Sequence, residues 1–381
     1  MKIALVGPTH PFRGGISHYN TLLYQHLKAH SPETRFYAFW RQYPQWLFPG
    51  QSDRDPSAEA LTADGVEHVL DGCNPATFAR LGWRLRRDRP DLLVLPWWVV
   101  FWAPHYLTLL SIARPRRTVF LVHNAHEHED HWAKRRVTRE VLARGDGFLC
   151  HTREDEAKLG AMKLGGPIAR AFHPTYEDIA PGAPRAEARR RLRETFDDGL
   201  DPSDPVILFF GFVRPYKGLE DLLIALAKAD TPARLWVVGE FWQGGRATID
   251  AQISTIGLGD RVRIMDRYVA NEEIGDYFSA ADVVALPYRS GTGSGVLQLA
   301  FGHRRPVIAT AVGSQADAVR HGATGLLVPP EAPEALAGAI DQFFRDEDNV
   351  PYDRHIDEDV KGRFSWTALV DALVSVAHDG H

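Results

Sequence analysis

Cysteine is nearly absent from this 381-residue chain, which carries only Cys73 and Cys150. Two thiols cannot frame a disulfide-stapled fold, and such sparing use suits a reducing compartment such as the cytoplasm. An excess of one charge sign is missing as well. Against 44 Lys and Arg stand 49 Asp and Glu, a net charge of −5. That balance speaks against a general nucleic-acid binder, which needs a strongly basic domain. There is no internal repeat and no low-complexity segment. No G-x-G-x-x-G run and no Walker lysine follow the first apolar strand, so dinucleotide and P-loop chemistry lose ground. The opening MKIALVGPTH has too short an apolar run for a signal peptide. One stretch, Leu92–Ala113, is long enough to cross a bilayer. Pro96, Pro104 and His105 interrupt it, and it reads as a buried strand (Leu92–Trp97) followed by a helix (Pro104–Ala113) with Pro104 near its start. A groove wall or membrane-touching face built from Trp97, Trp98 and Trp102 is the alternative, since amphipathic aromatics favour such places.

What is present is an ordinary globular composition, and the length suits two domains. Short apolar runs alternate with helical patterns along the chain, which implies parallel sheets with crossover helices. In the first half, strands are expected at Lys2–Val6, Thr34–Phe39, His68–Leu70, Leu92–Leu95, Thr118–Val122 and Gly147–His151, with a helix from about Ser17 to Ala29. The second half repeats the plan. Its strands are expected at Val206–Phe210, Arg234–Val238, Val262–Met265, Val283–Leu286 and Pro306–Ala309. Its helices are expected at Gly218–Ala229, Asn271–Ala280 and Gly295–Gly302. A charged, Pro-containing join, Tyr176–Pro205, includes a surface helix near Arg185–Thr195. The expected domains are 1–175 and 176–363. Trp366, Leu369, Leu373 and Val376 recur at helical spacing, so 364–381 reads as a core-packing helix. Two doubly wound halves put a ligand cleft at the carboxyl ends of their strands, at the domain interface. Net charge is +4 through Asp178 and −9 beyond it. The basic excess lies in Arg84–Arg87, Arg114–Arg117 and Lys134–Arg136, which are either ordinary solvated faces or attractors for an anionic acceptor or acidic lipid headgroups.

Four places could carry chemistry. Gly14 and Gly15 precede the first helix, where a missing side chain lets a ligand approach and free N–H groups favour phosphate. In Gly211–Leu219 a strand ends, Arg214 and Lys217 follow three residues apart, and a helix starts. Two cations beside a helix N-terminus make a pocket suited to a diphosphate. In Pro287–Gln298 another strand ends in a Gly/Ser/Thr loop, with Ser290, Thr292, Ser294, Gly295 and Val296 opening a helix that carries Gln298. That pattern is an anion cradle, and Gln298 could bond ribose hydroxyls. The fourth place is His123–His131, after strand Thr118–Val122. Its residues His126, His128, Asp130 and His131 fit H-x-H-x-D-H, the zinc-ligand pattern of metallo-β-lactamase-like hydrolases, with His151 and His173 as further imidazoles.

In its element order the chain resembles the family 4 glycosyltransferases of the GT-B fold. The stretches that carry the likeness are Gly14-Gly15, Gly211–Gly218, and Tyr268-Val269 followed by Glu272-Glu273-Ile274. Ser279–Tyr288, Pro306–Thr310 and Gly322–Val328 complete the series. The resemblance covers nearly the whole chain and is strongest from Ile207 to Pro330. It implies two Rossmann-like domains, an N-terminal acceptor side and a C-terminal donor side, with the final helix crossing back to the first. It also implies a nucleotide-diphosphate sugar, UDP- or GDP-linked, held by Arg214 and Lys217, with Gly15 against the diphosphate. The Tyr268-Val269 backbone would meet the base, and the N–H groups of Ser294, Gly295 and Val296 the distal phosphate. Gln298 stands where the family usually has a ribose-binding Glu. The first Glu of the usual pair is replaced by Ser290, with Thr292 nearby, which leaves the sugar unspecified. The Thr-x-Ser-Gly-Val form resembles a branch of bacterial polysaccharide and secondary-metabolite pathways.

On the same resemblance His123-Asn124 and His128-Glu129 match an HN…HE pattern. His123 would then face the donor sugar and Glu129 would orient the acceptor. Trp97, Trp98, Trp102 and His128 would contact a carbohydrate, small-molecule or lipid-linked acceptor. The resemblance, not the spacing, implies retention at the anomeric carbon; no metal or other cofactor is expected where Arg214 and Lys217 substitute for it. The expected setting is the cytoplasm, with a peripheral contact at the inner face of the membrane. Two other readings stay open: the zinc hydrolase, and a nucleotide-sugar binding protein without turnover, suggested by the missing carboxylate.

Overall fold

The computed structural model describes residues 1–43, 52–125, 132–176, 179, 181–196, 203–242, 244–291, 293–346 and 350–378. It divides into two compact units. The first comprises Met1–Pro56, Ala60–His173 and Ser365–His381, the second Ser57–Glu59 and Pro174–Phe364.

The first unit is built on β1 (Ile3–Gly7), β2 (Arg35–Arg41), β3 (Val66–Asp71), β4 (Leu92–Trp97), β5 (Arg117–Val122), β6 (Gly147–Cys150) and β7 (Ile168–Arg170). All neighbours pair in parallel, in the order β3-β2-β1-β4-β5-β6-β7. Its helices are α1 (Gly15–His30), α2 (Pro75–Asp88), α3 (Ala103–Ala113), α4 (Trp132–Leu142) and α5 (Arg153–Ala161). β1, β4 and β6 are buried along their whole length, as parallel strands covered on both faces must be. β2 and β3 run past the apolar residues that suggested them, because Arg41 and Asp71 pair across their ends (Nε–Oδ1 2.7 Å).

The second unit contains β8 (Val206–Phe210), β9 (Arg234–Val238), β10 (Val262–Met265), β11 (Val283–Leu286), β12 (Val307–Thr310) and β13 (Gly325–Val328), in the order β10-β9-β8-β11-β12-β13. Around it lie α6 (Arg185–Phe196), α7 (Leu219–Lys228), α8 (Gly245–Thr255), α9 (Asn271–Ala280), α10 (Gly295–Gly302), α11 (Gly313–Ala318), α12 (Pro333–Asp346) and α13 (Tyr352–Gly362). The last helix, α14 (Trp366–His378), packs on α1 and on β5–β7 of the first unit. There Gly147 gives it room, since a Cβ on that residue would lie 2.4 Å from Val376.

The Leu92–Ala113 stretch is β4, a 3₁₀ turn (Val100–Trp102) and α3. Among the described residues no helix is long and apolar enough to cross a membrane. Trp97 and Trp102 are core residues, 2% and 0% exposed, and Trp102 packs among Phe39, Tyr43, Phe78 and His105. Their assignment as acceptor contacts is therefore corrected: an indole enclosed by its own core has no face left for a sugar ring. Trp98 is half-buried and donates to the Tyr43 hydroxyl at 3.3 Å.

One buried carboxylate knits the second unit together. Asp282, at the start of β11, accepts from Arg189 (2.8 Å) and the Val206 amide (2.7 Å) and also pairs with Arg185. Arg189 is itself buried and donates to the carbonyls of Ala280 (2.9 Å) and Asp204 (3.0 Å). Asp282 thus pins α6 to two strands. Removing one partner of a buried pair leaves an uncompensated charge, which costs about 3–5 kcal/mol. We expect Asp282→Ala to lower the melting temperature by roughly 10 °C, and Arg185→Ala, on the exposed side, to lower it far less. Equal effects in thermal unfolding would remove Asp282 from this role.

Candidate functional site

In the second sheet the chain runs β8, β9, β10 to one side, then returns across β8 to place β11 on the other. The crossing leaves a crevice at the carboxyl ends of β8 and β11, where doubly wound sheets bind ligands. Both phosphate-type loops singled out in the sequence end there.

After β8 the chain makes a 3₁₀ turn, Pro215–Lys217, and Gly218 caps it in the left-handed region (φ 68°). A Cβ at Gly218 would lie 2.1 Å from the Pro287 carbonyl, so only glycine lets this loop close on the one after β11. The Arg289 amide donates to the Tyr216 carbonyl (2.7 Å), and the Arg289 guanidinium grips Asp221 with bonds of 2.7 and 2.8 Å. These bonds tie the two loops together.

Two cations sit on it. Lys217 is 7% exposed, with Nζ 5.7 Å from the Tyr288 ring centre and close beside Gly211. Arg214 lies over the Trp242 ring at 4.3 Å. Among the described residues neither cation meets a carboxylate. Burial, with Arg214 nearby, pulls the Lys217 ammonium down to about 7.

Opposite them, Ser294 caps α10 and accepts from the Leu297 amide at 3.2 Å, while the Tyr288 hydroxyl lies 3.2 Å from Ser294 Oγ. Among the described residues no acceptor meets the N–H groups of Gly295 and Val296, which point from the positive end of the helix. Val296 Cγ2 lies 3.3 Å from the Cβ position of Gly211. Gln298 is 2% exposed, and its Oε1 is buried with no hydrogen-bond partner among the described residues. An unpaired buried amide oxygen costs free energy that a ligand hydroxyl recovers. Ser290 is exposed, and Thr292 lies outside the described residues. Tyr268 is half-buried, Val269 is buried, and the Tyr268 carbonyl accepts from Arg267 at 3.2 Å.

The first sheet has its own crossing between β1 and β4. Gly14 caps α1 with φ 107°, whereas nothing lies within 4 Å of a Cβ on Gly15. Packing therefore does not require glycine at position 15, and its effect is to leave open space at a helix N-terminus. His123 directly follows β5, its amide donating to the Trp97 carbonyl at 2.8 Å. Its ring meets Tyr19 edge-on at 4.7 Å and lies 5.4 Å from His151, and His173 is 5.2 Å beyond that. Trp366 of α14 closes the group against Tyr19 at 5.2 Å. Burial and the two other imidazoles hold His123 well below the usual histidine range. His151 Nδ1 is 2.9 Å from the Ala171 carbonyl, which fixes its proton there, and burial lowers its pKa to about 4. Glu129, His126, His128, Asp130 and His131 lie outside the described residues. Among the described residues no group of three or more His, Cys, Asp or Glu could hold a metal.

Sequence reasoning missed the aromatic support Trp242, the Arg289–Asp221 clamp and Tyr19; it named Tyr288 only within a motif, His151 and His173 only as further imidazoles for a metal, and Trp366 only as a core position, and it did not foresee that Tyr288 backs Lys217 or that the other four rings group with His123. No motif announces them, because each depends on contacts remote in sequence.

Residues 204–346 match the model of a family described as glycosyl transferases, group 1. Among curated proteins, a D-inositol 3-phosphate glycosyltransferase of Rhodococcus erythropolis is 31% identical over 61% of this chain and 56% of its own length. One of Rhodococcus opacus is 31% identical over 69% of this chain and 63% of its own. The chain thus spans little more than half the length of the first of these relatives. Among solved structures, a sucrose-phosphate synthase of Thermosynechococcus elongatus superposes with TM-score 0.73 at 20% identity, covering 99% of this chain and 98% of that one. The HepE protein of Anabaena, in complex with UDP-glucose, gives 0.72 at 18% identity with 99% of each chain covered. The two-unit parallel α/β architecture is the GT-B fold of these structures.

The buried imidazoles set a pH dependence. His151 and His303 both have folded pKa values near 4 against 6.5 in a free chain. Between those values the unfolded chain binds a proton that the native state refuses, so stability falls as pH drops below 6.5 and levels off near 4. His151 alone is worth up to about 3 kcal/mol over that window. Melting temperatures measured from pH 7.5 to 4.5 should fall, and His151→Gln should flatten the slope; an unchanged slope would refute the assignment.

Proposed function

We propose that this protein is a glycosyltransferase of the hexosyltransferase type, moving a sugar from a nucleoside-diphosphate donor to an acceptor hydroxyl. The observation that carries the proposal is the pair Arg214 and Lys217, which meet no carboxylate among the described residues and stand beside the N-terminus of α10 at the crossing point of the second sheet. This is a preformed counter-charge for a diphosphate, inside the segment that matches group 1 glycosyl transferases.

In the transfer, the bond from the anomeric carbon to the β-phosphate oxygen breaks, and its electron pair leaves on that oxygen. Arg214, Lys217 and the N–H groups of Gly295 and Val296 meet the growing charge, and such preorganised electrostatics are usually the largest catalytic contribution. The acceptor oxygen bonds to the anomeric carbon and gives its proton to the departing β-phosphate oxygen, so that the products are the glycoside and the nucleoside diphosphate. Gln298 takes a ribose hydroxyl onto its orphan Oε1. The backbone at Tyr268 and Val269 takes the base, and Ser290 and Thr292 are assigned to the donor sugar from their places in the sequence. The cations do the work a metal ion does elsewhere, and the anomeric configuration is retained.

UDP is the favoured leaving group because HepE, a structural neighbour, is seen with UDP-glucose. The curated relatives' name suggests a small phosphorylated polyol as acceptor; carbohydrate and lipid-linked acceptors are the other classes. We assign the acceptor side to the first unit, with His123, His128 and Glu129 as its polar groups and Gly14-Gly15 leaving the start of α1 open. The protein works in the cytoplasm, with a peripheral membrane contact.

Calorimetric titration with UDP, GDP, ADP and TDP tests the donor. We expect Arg214→Ala and Lys217→Ala each to weaken nucleoside-diphosphate binding roughly 10- to 100-fold, the range for charge-assisted bonds. Full binding in both variants would overturn the diphosphate assignment. Binding with no transfer or hydrolysis by the unaltered protein would favour the non-catalytic reading. Because the Lys217 pKa in the empty site is about 7, binding of the anion captures the protonated form. Affinity should therefore fall as pH rises from 7 to 9, approaching tenfold per unit at the limit, and the fall should vanish in Lys217→Ala.

A further inference from the structure

Three neighbouring helices of the first unit present an outer face that neither its core nor the donor site uses. α3 lies against both α2 and α4, and Gly82 lets α2 approach Ile112 of α3, where a Cβ would be 2.9 Å away. α2 buries Phe78, Leu81 and Leu85. Its opposite side carries Arg80, Trp83 and Arg87, with Trp83 61% exposed. α4 buries Thr138, Val141 and Leu142. Its outer side carries Arg136 with Trp132, the most exposed large apolar side chain described at 73%, and Val137 is 38% exposed. Between them α3, APHYLTLLSIA, contains no Lys, Arg, Asp or Glu at all. Alongside α4 runs a groove of about 660 Å³ toward α5, lined by Arg135, Arg136, Arg139, Lys158 and Lys163. Glu140 is its one acidic lining residue, and Glu154 faces it only through its pair with Lys158 (2.7 Å).

We propose that this α2–α3–α4 face docks on a membrane surface of anionic phospholipid. Exposed indoles are favoured at the headgroup level, where one end of the ring is apolar and the other wet. Long Arg and Lys stems cover apolar surface while their heads reach phosphates. Each cation near an anionic leaflet adds to the attraction. An uncharged α3 between two basic helices costs little to bring against the interface, whereas a polyanion such as RNA would cross a strip without counter-charge. The proposal extends the peripheral contact in the function reading by naming its surface. It is tested apart from donor binding.

The full chain is spun with sucrose-loaded vesicles of phosphatidylcholine alone and of phosphatidylcholine mixed with phosphatidylglycerol. Pelleting should be at least about tenfold greater with the anionic lipid and should fade in high salt, as surface electrostatics do. Tryptophan emission should shift to the blue on binding. Arg135→Glu/Arg136→Glu/Arg139→Glu should abolish pelleting, and Trp83→Ala/Trp132→Ala should weaken it several-fold and remove the shift. Both variants should keep the wild-type melting curve and UDP affinity. Because binding is read separately from UDP, loss of UDP affinity in the unaltered protein would refute the donor reading and leave the docking result intact. Absence of pelleting with anionic vesicles, or equal pelleting of the variants, would overturn the proposal. So would preference for an RNA oligonucleotide over the vesicles.

Discussion

The second unit is organised around a lysine ammonium held out of water with no carboxylate beside it among the described residues. A buried cation without a partner is costly, and its pKa falls until charge and neutrality are nearly balanced. Lys217 is in that condition, near 7, and the surrounding architecture sustains it. Tyr288 offers an aromatic face, the Gly218 turn closes the loop, and Arg289 spends its own charge on Asp221 rather than competing for a ligand. Acidic residues are plentiful in this half of the chain, yet the nearest strong pairs are formed among other residues. The site is a deliberate local exception to a net negative background, and free energy stored there is released when an anion arrives.

The backbone plan was largely legible. Apolar runs such as Val206–Phe210 and Val283–Leu286 could only be strands buried on both faces, and the observed limits agree. Asn271–Ala280 and Gly295–Gly302 begin and end at residues visible as breaks. Strands β2 and β3 were read short, because Arg41 and Asp71 look like loop residues until they pair across the sheet. The order of strands was not legible, since pairing depends on crossovers that leave no local mark. That order is what places Lys217 and Ser294 at one crevice.

The site was legible to the degree that its chemistry sits in continuous loops. Arg214, Lys217, Ser294 and Gln298 announce themselves by charge or by position at a helix start. Trp97 and Trp102 misled for a physical reason: an aromatic-rich segment reads alike whether its rings face a ligand or their own core, and here Phe39, Phe78 and His105 enclose Trp102. Conversely, Trp242 looked unremarkable in the sequence and supports Arg214. Aromatic side chains carry information about a site only once their partners are known.

The path of the chain bears on how the molecule is made. Pro174–Phe364 stands between the strands of the first unit and α14, which covers β5–β7 and closes the ring group around Tyr19. A ribosome therefore delivers the whole second unit before the helix that completes the first. During that interval the apolar residues of β5–β7 that α14 covers have no lid, and neither does the histidine cluster. The half made first is thus the half finished last, and the nascent chain exposes an unfinished apolar seam for as long as it takes to synthesise nearly two hundred further residues.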